Sequence, residues 1–201
     1  MYALLRVLLA LVALTAMGQQ LILHIDAAYS ALNFFSYFTN LSNLFAAVAL
    51  LLSVFSGRGK SRDLIRYVSA VNMTVVGLVF AVLLRNVDLG ALLPWVNYVL
   101  HYLMPVAVVL DWWVKPPASG LNSKNLLLAL AFPSAYLAYV IVRGAHTGWY
   151  PYPFLNPVQV GGYGGVATYA IGIAATFVLA AWALLVVGNR RAASGAAVPR
   201  A

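Results

Sequence analysis

An all-α membrane protein is the fold class that this sequence predicts, and three observations support it. Hydrophobic residues make up 64% of the chain and charged residues only 8%, which is far from the balance found in soluble domains. Six apolar runs each approach or exceed the roughly 20 residues that a bilayer-spanning helix needs. Most charged residues stand between these runs. We therefore predict a polytopic bundle of six transmembrane helices.

The predicted spans follow one another through nearly the whole chain. Their approximate limits are 3–24, 32–56, 65–84, 92–114, 125–142 and 163–187. Segments rich in glycine, proline, serine and charge separate them, as expected of loops. We expect one domain over residues 1–188 and a flexible basic tail over 189–201. A cleaved signal peptide is the alternative for the first run, but its length favours a span.

Lysine and arginine are distributed unevenly between the two sides of this predicted bundle. One side has only Arg85 and Arg143. The other side carries Arg6, Arg58, Lys60, Arg62, Arg66, Lys115, Lys124, Arg190, Arg191 and Arg200. Because positive residues favour the cytoplasmic face, both termini are predicted to be cytoplasmic. The net charge of +8 fits loops beside anionic lipids, so we expect no nucleic-acid partner.

Several classes of site are excluded or disfavoured by what the sequence lacks. The chain has no cysteine, which rules out disulfides, thiol nucleophiles and thiolate metal sites. It also contains no G-x-S-x-G elbow, H-E-x-x-H motif or P-loop. We predict no metal site and no cofactor. A haem held by two of His24, His101 and His146 is the alternative.

Polar residues stand inside two of the apolar runs at about the same predicted depth. The second run opens with "SYFTNLSNLF" (36–45), in which Ser36, Thr39, Asn40 and Asn43 share one helix face. In the fourth run, Asn97 and His101 also share a face. Counted from the ends of their spans, Thr39 and His101 lie roughly 10–14 Å below the outer surface. The pattern predicts one buried polar pocket toward the outer leaflet.

The residue types in this pocket suggest a nucleophile and a base. Hydroxyl and amide groups often only join helices, at roughly 0.6–2 kcal/mol per contact, whereas an ionisable residue within a span indicates function. A threonine hydroxyl needs a base to become a nucleophile, and imidazole suits that role near neutral pH. We predict Thr39 as nucleophile and His101 as base. Asn43, Asn97 or Asn40 would orient the imidazole or stabilise an oxyanion; the sequence leaves this open.

Further residues are predicted to line the pocket or its rim. They are Ser36, Tyr37, Asn72, Tyr98, Arg143, Trp149 and Tyr152. The arginine could receive an anionic group or only extend to the surface. The segment "GWYPYPF" (148–154) would form an interfacial rim or anchor the turn into the last helix. Asp111, beside two tryptophans, is predicted to be an interfacial anchor.

Three segments resemble the bacterial branch of a known family. They are "YFTNLSN" (37–43), "NYVLHYLMP" (97–105) and "HTGWYPYPFLNP" (146–157). The family contains androgen-induced protein 1 and the androgen-dependent regulator of tissue factor pathway inhibitor. Its animal members are multi-span hydrolases of fatty acid esters of hydroxy fatty acids. The resemblance implies Thr39 as nucleophile and His101 as base; Tyr98 replaces an additional family histidine.

The sequence and the resemblance together predict an intramembrane hydrolase of lipid esters that depends on threonine and histidine. Its partners would be a lipid substrate and membrane lipids, and its location the bacterial cytoplasmic membrane, with the pocket toward the outer leaflet. The alternatives are a lipid or small-molecule transporter or binding protein and a non-catalytic scaffold. The oligomeric state is not predicted.

Overall fold

The computed structural model describes residues 1–57, 59–87, 92–118 and 120–196. Every regular element within these ranges is helical. The α-helices are α1 (Tyr2–Asp26), α2 (Ala31–Phe35), α3 (Phe38–Phe55), α4 (Lys60–Val79), α5 (Pro94–Tyr98), α6 (Met104–Val114), α7 (Ser123–Thr147) and α8 (Tyr163–Ala196). Two π-helical segments, Phe80–Leu84 and Val99–Leu103, and one 3-10 turn, Pro153–Leu155, complete them. Arg58, Arg200 and the rest of 197–201 lie outside the described residues.

Five helices in the described part of the chain are long and apolar enough to cross a membrane. They are Tyr2–Asp26, Phe38–Phe55, Lys60–Leu84, Ser123–Thr147 and Tyr163–Ser194. This confirms that the chain is an integral membrane protein of the all-α class. The last helix continues to Ala196, through residues that the sequence assigned to a flexible tail.

The prediction of one continuous helix over 32–56 was wrong. α2 ends at Phe35, and Tyr37 is extended (φ −81°, ψ 126°) before α3 begins. Side chains stabilise this break: Ser36 Oγ donates to the Leu32 carbonyl (2.7 Å) and Asn40 Nδ2 donates to the Phe34 carbonyl (2.8 Å). Such local bonds satisfy backbone groups without a helical ladder. Thr39 therefore lies in the first turn of a helix.

The fourth predicted span, 92–114, is formed by α5, the π-helical segment Val99–Leu103 and α6 in direct succession. The boundary residues keep helical dihedral angles, and the three segments contain 5, 5 and 11 residues. At 1.5 Å per residue, the run is roughly 30 Å long. The count of six spans and the cytoplasmic position of both termini stay predictions.

Small residues allow the first helices to pack closely. Ala10, Ala13 and Ala16 of α1 are fully buried, as are Ala46 and Ala47 of α3, and α1 packs chiefly on α3. Spacing of three residues puts the α1 alanines on one face. In a membrane, where apolar side chains gain little from leaving lipid, such close backbone approach supplies the attraction between helices.

Buried and half-buried ion pairs join α1, α4 and α6 near the end of α3 that lies away from Thr39. Asp111 is not a simple interfacial anchor, since its carboxylate accepts from Arg6 Nε (2.7 Å) and Arg66 Nη2 (2.9 Å). Arg66 also lies 3.9 Å from Asp63, whose Oδ2 accepts from the Ala118 N–H. We call Arg6, Asp63, Arg66 and Asp111 the arginine–aspartate cluster. It connects α1, α4 and α6.

Candidate functional site

The break between α2 and α3 determines the environment of Thr39. Thr39 is the second residue of α3, where backbone N–H groups have no acceptor within the helix. Its N–H donates instead to the Tyr152 hydroxyl (3.2 Å), and its Oγ1 lies 3.5 Å from that same oxygen. A tyrosine from a distant loop thus caps the helix and contacts the predicted nucleophile.

Tyrosines of α7 and the following loop hold the break in place. Tyr136 Oη donates to the Ser36 carbonyl (2.8 Å), and the Tyr139 hydroxyl is hydrogen-bonded to Ser36 Oγ (2.8 Å). Burial raises the pKa of the Tyr152 hydroxyl, although its hydrogen bonds to Thr39 act in the opposite direction. The phenol beside Thr39 is therefore a neutral group that can both donate and accept.

Arg143 and the aromatic loop pack together beside the α2–α3 break; of the predicted rim residues, Tyr152 lines the cavity and Arg143 and Trp149 do not. The guanidinium donates to Asn33 Oδ1 (2.6 Å) and lies 4.8 Å from the Trp149 ring centroid. Tyr37 packs edge-on against the rings of both Trp149 and Tyr152. These contacts fix the loop over the α2–α3 break and thereby hold Tyr152 against Thr39.

Thr39 lines a cavity of about 180 Å³. The other polar contributors to its wall are Ser134, Tyr136 and Tyr152. The apolar contributors are Phe38, Val75, Val76, Val79, Leu84, Leu130, Pro133, Leu137, Phe154, Leu155, Ala170, Ile173, Ala174, Phe177 and Val178. An apolar cavity of roughly 150 Å³ stays dry and accepts a benzene-sized molecule. This one has room for part of a hydrocarbon chain.

Exposed residues in the cavity wall indicate that the cavity opens sideways between α7 and α8. Ser134 of α7 and Ala174 and Val178 of α8 belong to its wall and are also exposed on the surface of the protein. That surface faces lipid if the long apolar helices span the membrane. A lipid chain could thus reach the Thr39 hydroxyl without passing through water.

His101 lies outside the cavity wall. Its ring stacks on Phe80 (centroids 4.1 Å apart), and its Nδ1 is 3.3 Å from the Asn97 carbonyl oxygen. Within the described part of the chain, no hydrogen bond joins His101 to Thr39. Only 8% of the histidine is exposed. The structure therefore places the predicted base in the bundle interior, separate from the cavity that contains the predicted nucleophile.

Asn43 connects the two predicted catalytic residues indirectly. Its Nδ2 donates to the Thr39 carbonyl (2.9 Å) on its own helix and to the Leu100 carbonyl (3.2 Å) next to His101. A π-helix would pair the Leu100 carbonyl with the N–H of residue 105, but Pro105 has none. The Asn43 amide supplies the missing donor and joins α3 to the histidine segment.

The remaining predicted residues divide into two groups. Asn40 stabilises the α2–α3 break, as described above, while Asn97 and Asn72 are placed in the interior and do not line the cavity. Tyr98 is 60% exposed and stacks on Tyr102, so the structure does not bring it to the rim. Sequence reasoning missed Tyr136 and the cavity wall of α7 and α8, because apolar residues there look identical to lipid-facing ones.

A comparison with family models shows which protein family the chain resembles. A model described as FAR-17a/AIG1-like protein matches residues 5–186. The chain belongs to the FAR-17a/AIG1-like family. This confirms the family that the three sequence segments predicted. Searches of curated proteins and of solved structures gave no match.

The FAR-17a/AIG1-like match extends from α1 well into α8. It therefore includes the Thr39 cavity, the His101 segment and the arginine–aspartate cluster in one unit. No group of three or more histidine, aspartate or glutamate side chains in the described ranges could hold a metal ion. The polar groups of the cavity wall are the hydroxyls of Thr39 and Ser134 and the phenols of Tyr136 and Tyr152, while the His101 imidazole lies outside it.

Proposed function

We propose that this FAR-17a/AIG1-like protein is an intramembrane hydrolase of lipid esters with Thr39 as its nucleophile. The observation that carries the proposal is the position of Thr39 Oγ1 in the wall of an apolar cavity that opens sideways between α7 and α8. An acyl chain in this cavity would bring its ester carbonyl to the Thr39 hydroxyl, which lies at a helix N-terminus, whereas the other aliphatic hydroxyl of the described wall, Ser134, lies in the middle of α7.

The first turn of α3 also offers charge stabilisation. Helix N-termini carry partial positive charge and favour anions. The Thr39 N–H donates to the Tyr152 hydroxyl, which lies 3.5 Å from Thr39 Oγ1, so both donors lie next to the proposed nucleophile. When Oγ1 attacks the ester carbon, these donors can stabilise the negative oxygen that develops, which is commonly worth about 3–4 kcal/mol per well-placed donor.

His101 serves as the base in this proposal and requires a change in geometry. The imidazole now stacks on Phe80 and forms no hydrogen bond with Thr39 among the described residues. Catalytic hydrogen bonds often tighten only once substrate is bound, and one water molecule can relay a proton. Asn43 holds the histidine segment beside the Thr39 turn, so the proposal requires that a side-chain movement or a water relay complete the path.

The topology that accompanies this function is also proposed. The helical run from Pro94 to Val114, the fourth span along the chain, would raise the number of spans from five to six. Both termini would then lie in the cytoplasm, and the cavity would lie toward the outer leaflet of a bacterial cytoplasmic membrane. Support comes from the length of the run and from the bias of lysine and arginine toward one side.

Covalent labelling by an alkyl fluorophosphonate tests the nucleophile, because the probe reacts with activated hydroxyl groups. We expect the full-length protein to be labelled, and Thr39→Ala and His101→Ala to lose labelling while remaining folded. Thr74→Ala is the matched control, since Thr74 Oγ1 only donates to the Ala70 carbonyl within α4. Labelling that survives in Thr39→Ala would contradict the proposal and favour a lipid-binding or transport role.

A further inference from the structure

Besides Asn97 Oδ1 of α5, four buried polar atoms of Ser42, Asn43 and Asn72 have no hydrogen-bond partner among the described residues. They are both amide atoms of Asn72, the carbonyl oxygen of Asn43 and the hydroxyl of Ser42. None of these three residues is more than 1% exposed. Because buried polar groups are normally hydrogen-bonded, and an unsatisfied one is costly in hydrocarbon, such a concentration indicates a ligand.

The register of α3 and α4 places these atoms at one depth. α3 ends at Phe55, α4 begins at Lys60, and the two helices pack against each other. Thr39 and Val76 line the same cavity, and at the other end Leu50 and Arg66 line the same small void. Equal rise along both helices therefore puts Asn43 opposite Asn72, about 6 Å inward from Thr39.

Helical spacing relates the two asparagines to the cavity wall. Asn43 is four residues after Thr39, and Asn72 is four residues before Val76, so each shares a helix face with a residue of the cavity wall. Ser42 lies beside Asn43 on α3. The unpartnered groups thus form a layer directly beneath the cavity, which we call the amide layer: Ser42, Asn43 and Asn72.

The chemistry of the amide layer fits a neutral ligand that both donates and accepts. Asn43 Nδ2 donates to two carbonyls, so its oxygen is the acceptor that lacks a donor. Both ends of the Asn72 amide lack partners, and the conclusion holds whichever way that amide is oriented. A buried water molecule usually makes two to four hydrogen bonds to such groups.

We propose that the amide layer binds internal water, held by Asn72 and Asn43 one helical turn from Thr39. The water site does not depend on whether the protein is an enzyme. Its catalytic role rests on the proposed function, because an acyl group on Thr39 needs water for its release. The water oxygen forms a bond to the acyl carbon, the bond from that carbon to Thr39 Oγ1 breaks, and a water proton passes to Oγ1, which releases a carboxylic acid.

An experimental structure of the full chain in lipid, at a resolution that shows ordered water, tests the site directly. We expect density within hydrogen-bond distance of the Asn72 amide and of Asn43 Oδ1. Direct pairing of the two amides, or a dry gap between them, would overturn the proposal. Asn72→Leu should lose this density, while Met73→Leu, a similar-sized change at the next buried residue, should keep it.

Thermal unfolding of the same variants gives a second, independent result. If water satisfies the amides, Asn72→Leu removes its partners and the unfolding midpoint falls below that of Met73→Leu. If no water contacts Asn72, leucine replaces a buried amide that has no hydrogen-bond partner. The unfolding midpoint then rises. A rise would overturn the water site.

Enzymatic assays separate the role of the water from the identity of the nucleophile. We expect Asn72→Leu to keep fluorophosphonate labelling, which consumes no water, and to lose roughly tenfold in ester turnover as acyl-enzyme accumulates. Unchanged turnover in Asn72→Leu would overturn the role. A parent protein without labelling would refute the threonine nucleophile and leave the water site to be decided by the density and the unfolding midpoint.

Discussion

The Asp111 end and the Thr39 end of the bundle bury polar groups in different ways. In the arginine–aspartate cluster, each guanidinium and carboxylate has an oppositely charged partner within 4 Å, and the void beside it measures about 10 Å³. At the Thr39 end the cavity measures about 180 Å³, and the amide layer beneath it has unpartnered atoms. The Asp111 end is tightly packed and its charged groups are paired. The Thr39 end contains an open cavity and amide atoms without hydrogen-bond partners in the described part of the chain.

This contrast separates structural from functional polarity within one chain. Oppositely charged groups that pair across helices hold those helices together, and removing one partner is strongly destabilising. Groups that lack partners beside a cavity can take new ones from a ligand. We therefore expect substitutions at the Asp111 end to act on stability, and substitutions at the Thr39 end to act on binding and chemistry.

The largest effect is expected from Asp111→Ala. It leaves the guanidinium groups of Arg6 and Arg66 buried without their shared partner, which typically costs about 3–5 kcal/mol. The unfolding midpoint in detergent should fall sharply and the yield of folded protein should drop. Asp26→Ala, at an exposed position at the end of α1, is the control and should unfold like the parent. Equal stability of the two variants would show that the arginine–aspartate cluster does not stabilise the fold.

An intermediate effect is expected from blocking the opening of the cavity. Ala174 belongs to the cavity wall and is exposed, whereas its neighbour Ala175 is exposed without lining the cavity. Ala174→Trp should slow labelling and lipid-ester turnover by roughly tenfold or more, about 1.4 kcal/mol, with little change in stability. Ala175→Trp should resemble the parent. Similar rates for both variants would show that lipids do not enter between α7 and α8.

Hydropathy was sufficient to predict most of the spans, because a helix that crosses lipid must consist mainly of apolar residues, and this is visible in the sequence. It could not locate the break at Ser36 and Tyr37, since the side-chain bonds that replace the helical ladder reach across to α7. The pairing of Arg6 with Asp111, 105 positions apart, was equally invisible. Such contacts depend on which faces of the helices meet.

The candidate site shows the same limit. Counting residues from span ends placed Thr39 and His101 at similar depths, and the Asn43 bridge does bring their turns together. Depth does not specify direction around a helix axis, and the ring of His101 faces Phe80. The π-helical segment before Pro105 contributes to that direction, because it alters the helical rotation by which faces are counted.

The smallest effect is expected from Tyr152→Phe, which also gives the sharpest test of the comparison. The ring stays in place and only the hydroxyl that caps the Thr39 N–H is lost, at a cost of about 1 kcal/mol in stability. Tyr139→Phe is the matched control, because it removes a hydroxyl bonded to Ser36 Oγ without touching Thr39. If the Thr39 end serves chemistry, both variants lose similar stability, but only Tyr152→Phe slows labelling. If labelling falls equally in both variants, the two tyrosines act only by stabilising the fold. Polar groups at the Thr39 end would then be structural, like those at the Asp111 end.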